Sequence, residues 1–282
     1  NSEKYIKNTI EQILKQLSNN MEIILIDDCS SDNSLKICKE KAEEDSRIKV
    51  IHHEENKGIC ITRNDGIKAA EGKYIIFSDD DDEWKENLIA DQMKIIEQNP
   101  NIELIKFGRE LISVNTNNKI ISSKTTEFYN EGLITQEEKY KEYFNVRKSS
   151  VLVNVWNGMY KKDIIEKYNI FFDENMKFGS EDAKFSLEFY EKSKYIYINP
   201  KTYYKHFKRN VSSTSRKFNK NKIYSVIESA KTETKIWGSI DFSNNKNKYA
   251  RQSAINSYLT NIMVEQVFHP KSDLLKQFCL LH

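Results

Sequence analysis

Residues 74–84 read YIIFSDDDDEW: a short apolar run of strand-forming residues passes without a break into four consecutive carboxylates. A second junction of the same kind lies at 21–34, MEIILIDDCSSDNS, where the buried-strand pattern of 21–26 ends in Asp27-Asp28 and a cluster of helix-capping side chains. Between the two, the pattern predicts a helix over about 34–45, a strand at Ile48–Ile51, a turn at Asn56-Lys57-Gly58 and a helix over Ile59–Ala70 stopped by Gly72. Upstream, Ile6, Ile10, Ile13, Leu14 and Leu17 have helical spacing within 2–18. Downstream, a helix runs from beyond Trp84 to about Gln98, ends at Asn99-Pro100, and gives way to a strand over Ile102–Phe107. Strands alternating with helices imply an α/β, Rossmann-like and mostly parallel sheet flanked by helices. Such sheets bind ligands beyond the carboxyl ends of their strands. Both acidic clusters sit there.

The chain of 282 residues holds 44 Lys plus Arg against 42 Asp plus Glu, a formal net charge of +2. So even a balance carries no long-range field of one sign and argues against a dedicated nucleic-acid binder. Charged residues make up 30% and hydrophobic ones 38%, and no stretch approaches the roughly 18 apolar residues of a spanning helix. Cys29, Cys38, Cys60 and Cys279 form no C-x-x-C pair and no zinc-site spacing, so reduced thiols are expected. After about residue 109 the rhythm changes. Short β-like pieces fill 109–135, a helix is expected over 136–147, VLVNVWNGMY (151–160) reads as a strand, and another strand falls at 195–198. A helix begins near Glu181, and from 217 the chain reads as helical with a loop around Ser239–Asn247.

Four adjacent carboxylates repel one another, and an arbitrary run of this kind is most often a solvated loop. At the binding edge of a sheet, a hard divalent cation relieves the repulsion, and Mg²⁺ or Mn²⁺ suits such oxygen ligands. An EF-hand is excluded because no Gly stands at the sixth position of the loop. Asp27 and Asp28 serve either as caps for the next helix or as acceptors for a nucleobase N–H or ribose hydroxyl. Arg63 either pairs with one acidic cluster or binds a phosphate. Ser180-Glu181-Asp182 reads on its own as a helix start with acids in the first turn.

Three segments, EIILIDDCSSDNS (22–34), NKGICITRNDGIKAAEGKYIIFSDDDDEW (56–84) and FGSEDAKFSLEFY (178–190), resemble glycosyltransferase family 2, the inverting GT-A enzymes, in order and spacing. WNGMYKK (156–162) is similar to a stretch of its bacterial surface-polysaccharide members, with Gly158 in place of their usual Lys. The resemblance implies a GT-A domain over 1–215, with a nucleotide-binding half to about 108 and an acceptor half from about 109, followed by a helical extension over 216–282. It implies nucleotide-sugar contacts at Asp27, Asp28, Arg63, Asp79 and Asp80, a metal ligand at Asp81, and a catalytic base at Asp182. Glu181, Trp156, His206 and Arg209 become candidate diphosphate or acceptor contacts, His206 standing where many relatives carry Arg. The family's opening strand is expected to precede Asn1 and to complete the nucleotide pocket.

These readings imply a Mn²⁺- or Mg²⁺-dependent inverting transfer from a nucleotide-sugar, with uridine diphosphate sugars as the leading donors, to a glycan or lipid-linked acceptor. A sugar-nucleotide pyrophosphorylase and a non-catalytic nucleotide- or glycan-binding module are the alternatives. The expected location is cytoplasmic, peripheral at the inner face of the plasma membrane. The helical tail is compatible with packing on the domain, with a homodimer contact or with a membrane surface.

Overall fold

The computed structural model describes residues 1–176, 179–209 and 222–262. Helix α1 (Ile6–Leu14) buries Ile6, Ile10 and Ile13 on one face, as their spacing dictates. Strand β1 (Ile23–Asp28), α2 (Ser34–Glu44) and β2 (Ile48–His53) then form one crossover unit. The β1/β2 ladder is parallel and places Asp27 opposite His52 and Asp28 opposite His53. Helix α3 (Ile59–Ala69) leads to β3 (Tyr74–Ile76), whose carboxyl end releases Phe77 to Asp82 as non-strand backbone before the short β4 (Glu83–Trp84). Helix α4 (Leu88–Gln98) follows.

The second half is built on two long strands, β5 (Leu104–Val114) and β9 (Ile196–Lys208), which run parallel to each other. Strands β6 (Ile120–Thr125), β7 (Gly132–Ile134) and β8 (Gly158–Lys161), with β3 and β4, join them through antiparallel ladders. The main sheet is therefore mixed, in the order β3-β8-β5-β9-β4, with β6 on β5 and β7 on β9. Parallel pairing among the described residues is confined to β1/β2 and β5/β9. The strand expected over 151–160 is shorter than its apolar pattern suggests. Residues 151–157 are turns, and only Gly158 onward pairs. Val151, Leu152 and Val155 are buried by packing into the core, not by a ladder, while Val153 is exposed.

Helices α5 (Lys139–Lys148), α6 (Lys162–Tyr168) and α7 (Glu181–Lys192) cover this sheet. Beyond them, α8 (Lys222–Trp237) packs on α7 and sends Ile236 into the core, while α9 (Asn245–Ile262) packs on α8. Buried Glu233 of α8 ties that helix to α5 and α9, accepting hydrogen bonds from Tyr143 (2.6 Å) and Arg147 of α5 and from Tyr258 (2.6 Å) of α9. The described part of the C-terminal extension thus packs on the domain; the 215/216 boundary, residues 263–282 and Cys279 lie outside the described residues.

Strands β1 and β3 do not pair with each other. A cleft of about 910 Å³ lies between them, lined by Ile24 and Ile26 of β1, Tyr74 and Ile76 of β3, Gly66 of α3 and Met93 of α4.

Lys106 of β5 stands directly opposite Gly158 of β8 and is fully buried. Its ammonium donates to the Asn154 carbonyl (2.8 Å), Asn157 Oδ1 (3.1 Å) and the Tyr160 hydroxyl (2.9 Å), while burial draws its pKa well below the usual lysine range. A Cβ at residue 158 would stand 2.9 Å from the Tyr160 ring and 3.0 Å from Lys106 Cδ. The volume that a side chain at 158 would claim is already filled by Lys106. Gly158→Ala should therefore destabilise the fold by about 1–3 kcal/mol through overpacking. Urea unfolding is the measurement, and an unchanged midpoint would show that the strand yields freely.

Candidate active site

The four carboxylates after β3 point to four different partners. Asp79 accepts from Arg63 Nη2 at 3.3 Å, and its backbone N–H donates to the Tyr204 hydroxyl at 3.0 Å. Asp80 accepts from the Ser2 hydroxyl, and Asp81 pairs with Arg209 Nη1 at 2.6 Å. Asp82 is 1% exposed, accepting from the His206 ring at Nδ1 (2.9 Å) and from the Phe207 N–H (2.8 Å). Arg63 comes from α3, a helix anchored at its start by Gly58. That residue sits at φ 86°, a left-handed conformation suited to glycine, and gives its N–H to Asp28 Oδ2 at 2.8 Å. The guanidinium also reaches across the cleft to α7, pairing with Glu181 Oε1 at 3.3 Å and with Asp182, and it lies over the Phe172 ring. Three segments distant in sequence therefore meet on one cation.

Burial, helped by the negative charges of Asp82 and Asp182, pushes Asp79 up to about 7 against the pull of Arg63. Burial and the neighbouring Asp182 likewise carry Glu181 up to about 7. Glu181 Oε2 is buried without a partner, an orphaned oxygen beside the expected base. Ser180 makes no side-chain cap; it sits at φ 66° and its carbonyl accepts from Ser229 of α8 at 3.0 Å. Strained backbone of this kind costs on the order of 1–3 kcal/mol and clusters at functional sites. Ser180-Glu181-Asp182 is the helix start its sequence suggests, with both acids in the first turn of α7 but without a Ser180 side-chain cap. Asp27 and Asp28 bond to N–H groups outside the start of α2.

Asp27 and Asp28 are braced by tandem histidines from β2. Asp27 holds His52 at 3.0 Å and the Ser30 N–H at 3.1 Å. Asp28 holds His53 at 2.9 Å and the N–H groups of Lys57 and Gly58, both at 2.8 Å. The far nitrogen of His53 meets Asp65 at 3.2 Å. Burial opposes the charged forms, but these hydrogen bonds outweigh it and hold both carboxylates below their usual range. His52, His53 and Asp65 escape a reading by motif, although the parallel pairing of 23–28 with 48–53 would have placed both histidines beside the two carboxylates.

The oxygens and ring nitrogen of Asp79, Asp82 and His206 lie within 4.8 Å of one another. Two carboxylates and an imidazole suit Mn²⁺ well and Mg²⁺ in their oxygens. In this structure His206 Nδ1 meets Asp82 Oδ2 at 2.9 Å. Asp81, the residue expected on the metal, is instead paired with Arg209 in this structure. Trp156 is 2% exposed and stacks on both Tyr204 (4.4 Å) and His206 (5.0 Å), so it supports the site more than it faces it.

A sheet edge carrying clustered carboxylates, one bridging arginine and an acidic helix start brings together residues from all three segments of the resemblance, and the comparisons show the family. Residues 1–168 match the family model described as glycosyl transferase family 2, and the chain belongs to that family. The chain is 29% identical over 196 residues to the uncharacterized glycosyltransferase EpsJ of Bacillus subtilis, covering 70% of this chain and 55% of that protein. It is 31% identical over 227 residues to the minor teichoic acid biosynthesis protein GgaB of the same organism, covering 78% of this chain and 24% of the relative. The chain thus spans about half or less of the length of these relatives. Its fold resembles S. aureus TarS 1–349 solved with UDP, at a TM-score of 0.67 and 20% identity over all of this chain and 75% of that one. The corresponding UDP-GlcNAc complex gives 0.68. These likenesses establish the GT-A fold.

The two sets of carboxylates act on stability with opposite sign. A carboxyl raised to about 7, as at Asp79 and Glu181, holds its proton longer in the folded state. Its contribution is full below the unfolded value and is lost as pH rises through about 7. Glu181→Gln should therefore flatten the fall in Tm of the ligand-free protein between pH 4.5 and about 7. Asp28, held low, stabilises above the ordinary carboxylate range and loses that contribution as pH falls through its lowered value. Asp28→Asn should blunt the acid limb and leave the neutral one unchanged. Thermal unfolding across pH reads both, and an unchanged profile in either variant would contradict the assignment.

Proposed function

We propose that this chain is a metal-dependent inverting glycosyltransferase that moves a sugar from a nucleotide-diphosphate sugar to a hydroxyl of a glycan or lipid-linked acceptor in bacterial surface-polysaccharide synthesis. The observation that carries the reading is the meeting of Asp79, Glu181 and Asp182 on Arg63 at the carboxyl edge of the sheet. Asp182 is the general base: it takes the proton of the acceptor hydroxyl as that oxygen bonds the anomeric carbon. The bond from that carbon to the diphosphate oxygen breaks on the opposite face, and the nucleoside diphosphate leaves with the electron pair. Arg63 orients Asp182 and keeps its carboxylate turned to the cleft. Asp27 and Asp28, prefixed by their histidines, receive the base and ribose. Arg209 is placed to follow the diphosphate, and Asp79, Asp82 and His206 would hold the metal. Mn²⁺ or Mg²⁺, when bound, supplies positive charge to the departing diphosphate.

The names of relatives in teichoic and teichuronic acid biosynthesis support the surface-polymer setting, and the UDP and UDP-GlcNAc complexes of TarS support a uridine donor. Asn1 lies against Ser30 and Ser31 beyond the end of β1, and Ser2 meets Asp80 beyond β3.

Asp182→Asn should lower transfer about 10²- to 10⁴-fold while leaving UDP affinity within a factor of a few. Donor turnover with Mn²⁺ is the assay, and retained transfer in this variant would sink the mechanism. His206→Ala should raise the Mn²⁺ concentration needed for half-maximal UDP binding in calorimetry. If it does not, the metal belongs to Asp81.

A further inference from the structure

Arg109 is a guanidinium that the fold positions with care and, among the described residues, leaves without an anion. Its backbone is pinned twice by Thr126: the Arg109 N–H donates to Thr126 Oγ1 at 3.0 Å, and its carbonyl accepts from the Thr126 N–H at 2.9 Å. Immediately before it, β5 slips register against β9. Phe107 lies opposite Asn199, Gly108 opposite Thr202, and Arg109 opposite Tyr204. A Cβ at residue 108 would stand 3.0 Å from both the Lys201 carbonyl and Thr202 Oγ1, so the close approach at the slip requires glycine. Irregularities of this kind re-aim side chains and concentrate beside active sites.

The slip delivers Arg109 to the face that carries Tyr204 and His206. There its guanidinium carbon lies 5.4 Å from the centre of the Trp156 ring, the same ring that stacks on His206. Stacking satisfies the face of the guanidinium and leaves its in-plane N–H groups free to donate. Among the described residues, Arg47, Arg63, Arg147 and Arg209 each hold a carboxylate. Arg109 holds none. Arg251, stacked on Phe242 in the C-terminal helices, is the other such case. Arg109 is half-buried, and a cation withdrawn from water without a partner is costly unless a ligand supplies the anion. Its neighbours sharpen the need, because the positive charge of Arg109 also bears on Lys106 and His206.

We propose that Arg109 is an anion-recognition residue beside His206, its in-plane N–H groups taking two oxygens of a phosphate or carboxylate while Trp156 serves as the platform. The inference rests on the transferase reading only in assigning that anion to a substrate. Two sources share the chemistry, an acidic group on the acceptor and the diphosphate of the donor.

Inorganic phosphate is the probe, and the Nε–H signals of ¹⁵N-labelled arginine are the readout. The signal missing from Arg109→Lys identifies the residue. It should shift saturably with phosphate, and Arg109→Gln should weaken phosphate binding in calorimetry about tenfold, with Arg109→Lys intermediate. Absence of a saturable shift, or equal phosphate affinity in a folded Arg109→Gln protein, would overturn the proposal. Repeating the titration with UDP and Mn²⁺ bound separates the sources. Loss of the phosphate-induced shift assigns the anion to the donor diphosphate, and its survival assigns it to the acceptor. No turnover is needed, so an inactive enzyme with intact phosphate binding would refute the transferase reading alone. An active enzyme whose Arg109 ignores phosphate would refute this proposal alone.

Discussion

The site depends on one buried guanidinium. Arg63 holds Asp79, Glu181 and Asp182, groups 16, 118 and 119 residues away along the chain. Three carboxylates brought this close would repel one another strongly in a partly desolvated cleft, and each would tend to keep its proton. With Arg63 between them they coexist. Removing the cation while keeping the carboxylates would leave uncompensated buried charge, far more costly than losing a surface pair. The interaction is therefore an architectural constraint as well as a chemical one: α3, the loop after β3 and the start of α7 cannot be placed independently.

The same logic, one partner for each carboxylate, governs the run Asp79 to Asp82. As bare sequence, four adjacent acids look like a single charged patch that calls for a single ion. In the fold each side chain leaves the backbone toward its own partner: Arg63, Ser2, Arg209 and His206. Divergence relieves only part of the repulsion, for the charge of Asp82 still bears on Asp79 and Asp81 and helps hold both carboxyls above their usual range. The most buried of the four, Asp82, is also the most fully hydrogen-bonded, as burial of a charged group demands. Asp79 and Asp82, both in the loop after β3, come together with His206 of β9 as a candidate cation site, a grouping that adjacency in the acidic run does not single out.

Much of the first half was legible from periodicity. The helices and strands through Phe107 follow the expected alternation, because each element there is short and its burial pattern is set by near neighbours. Legibility fails after residue 109 for a physical reason. Strands β5 and β9 are long, join through slipped registers at Gly108, and carry polar residues such as Lys106 and Arg109 whose partners come from distant loops. The apolar run at 151–157 has the composition of a strand but is buried as turns, since packing into the core accepts either conformation. Asp182 and Arg63 stand out in the sequence as candidate site residues. Their contact was not, because no spacing rule connects residues so far apart. The bracing histidines fall between these cases: a correct parallel register alone would have placed His52 and His53.

The near-neutral composition conceals a divided charge arrangement. At the nucleotide edge, Asp79 to Asp82 with Glu181 and Asp182 face two guanidiniums and one imidazole among the described residues, a deficit of positive charge. Arg109 of β5, over the ring of Trp156, has no carboxylate bonded to it among the described residues. A near-neutral protein can thus set a carboxylate cluster and an unpaired guanidinium about one indole ring. The stack of Tyr204, Trp156 and His206 links the two, because His206 belongs to the candidate metal cluster while Trp156 carries Arg109.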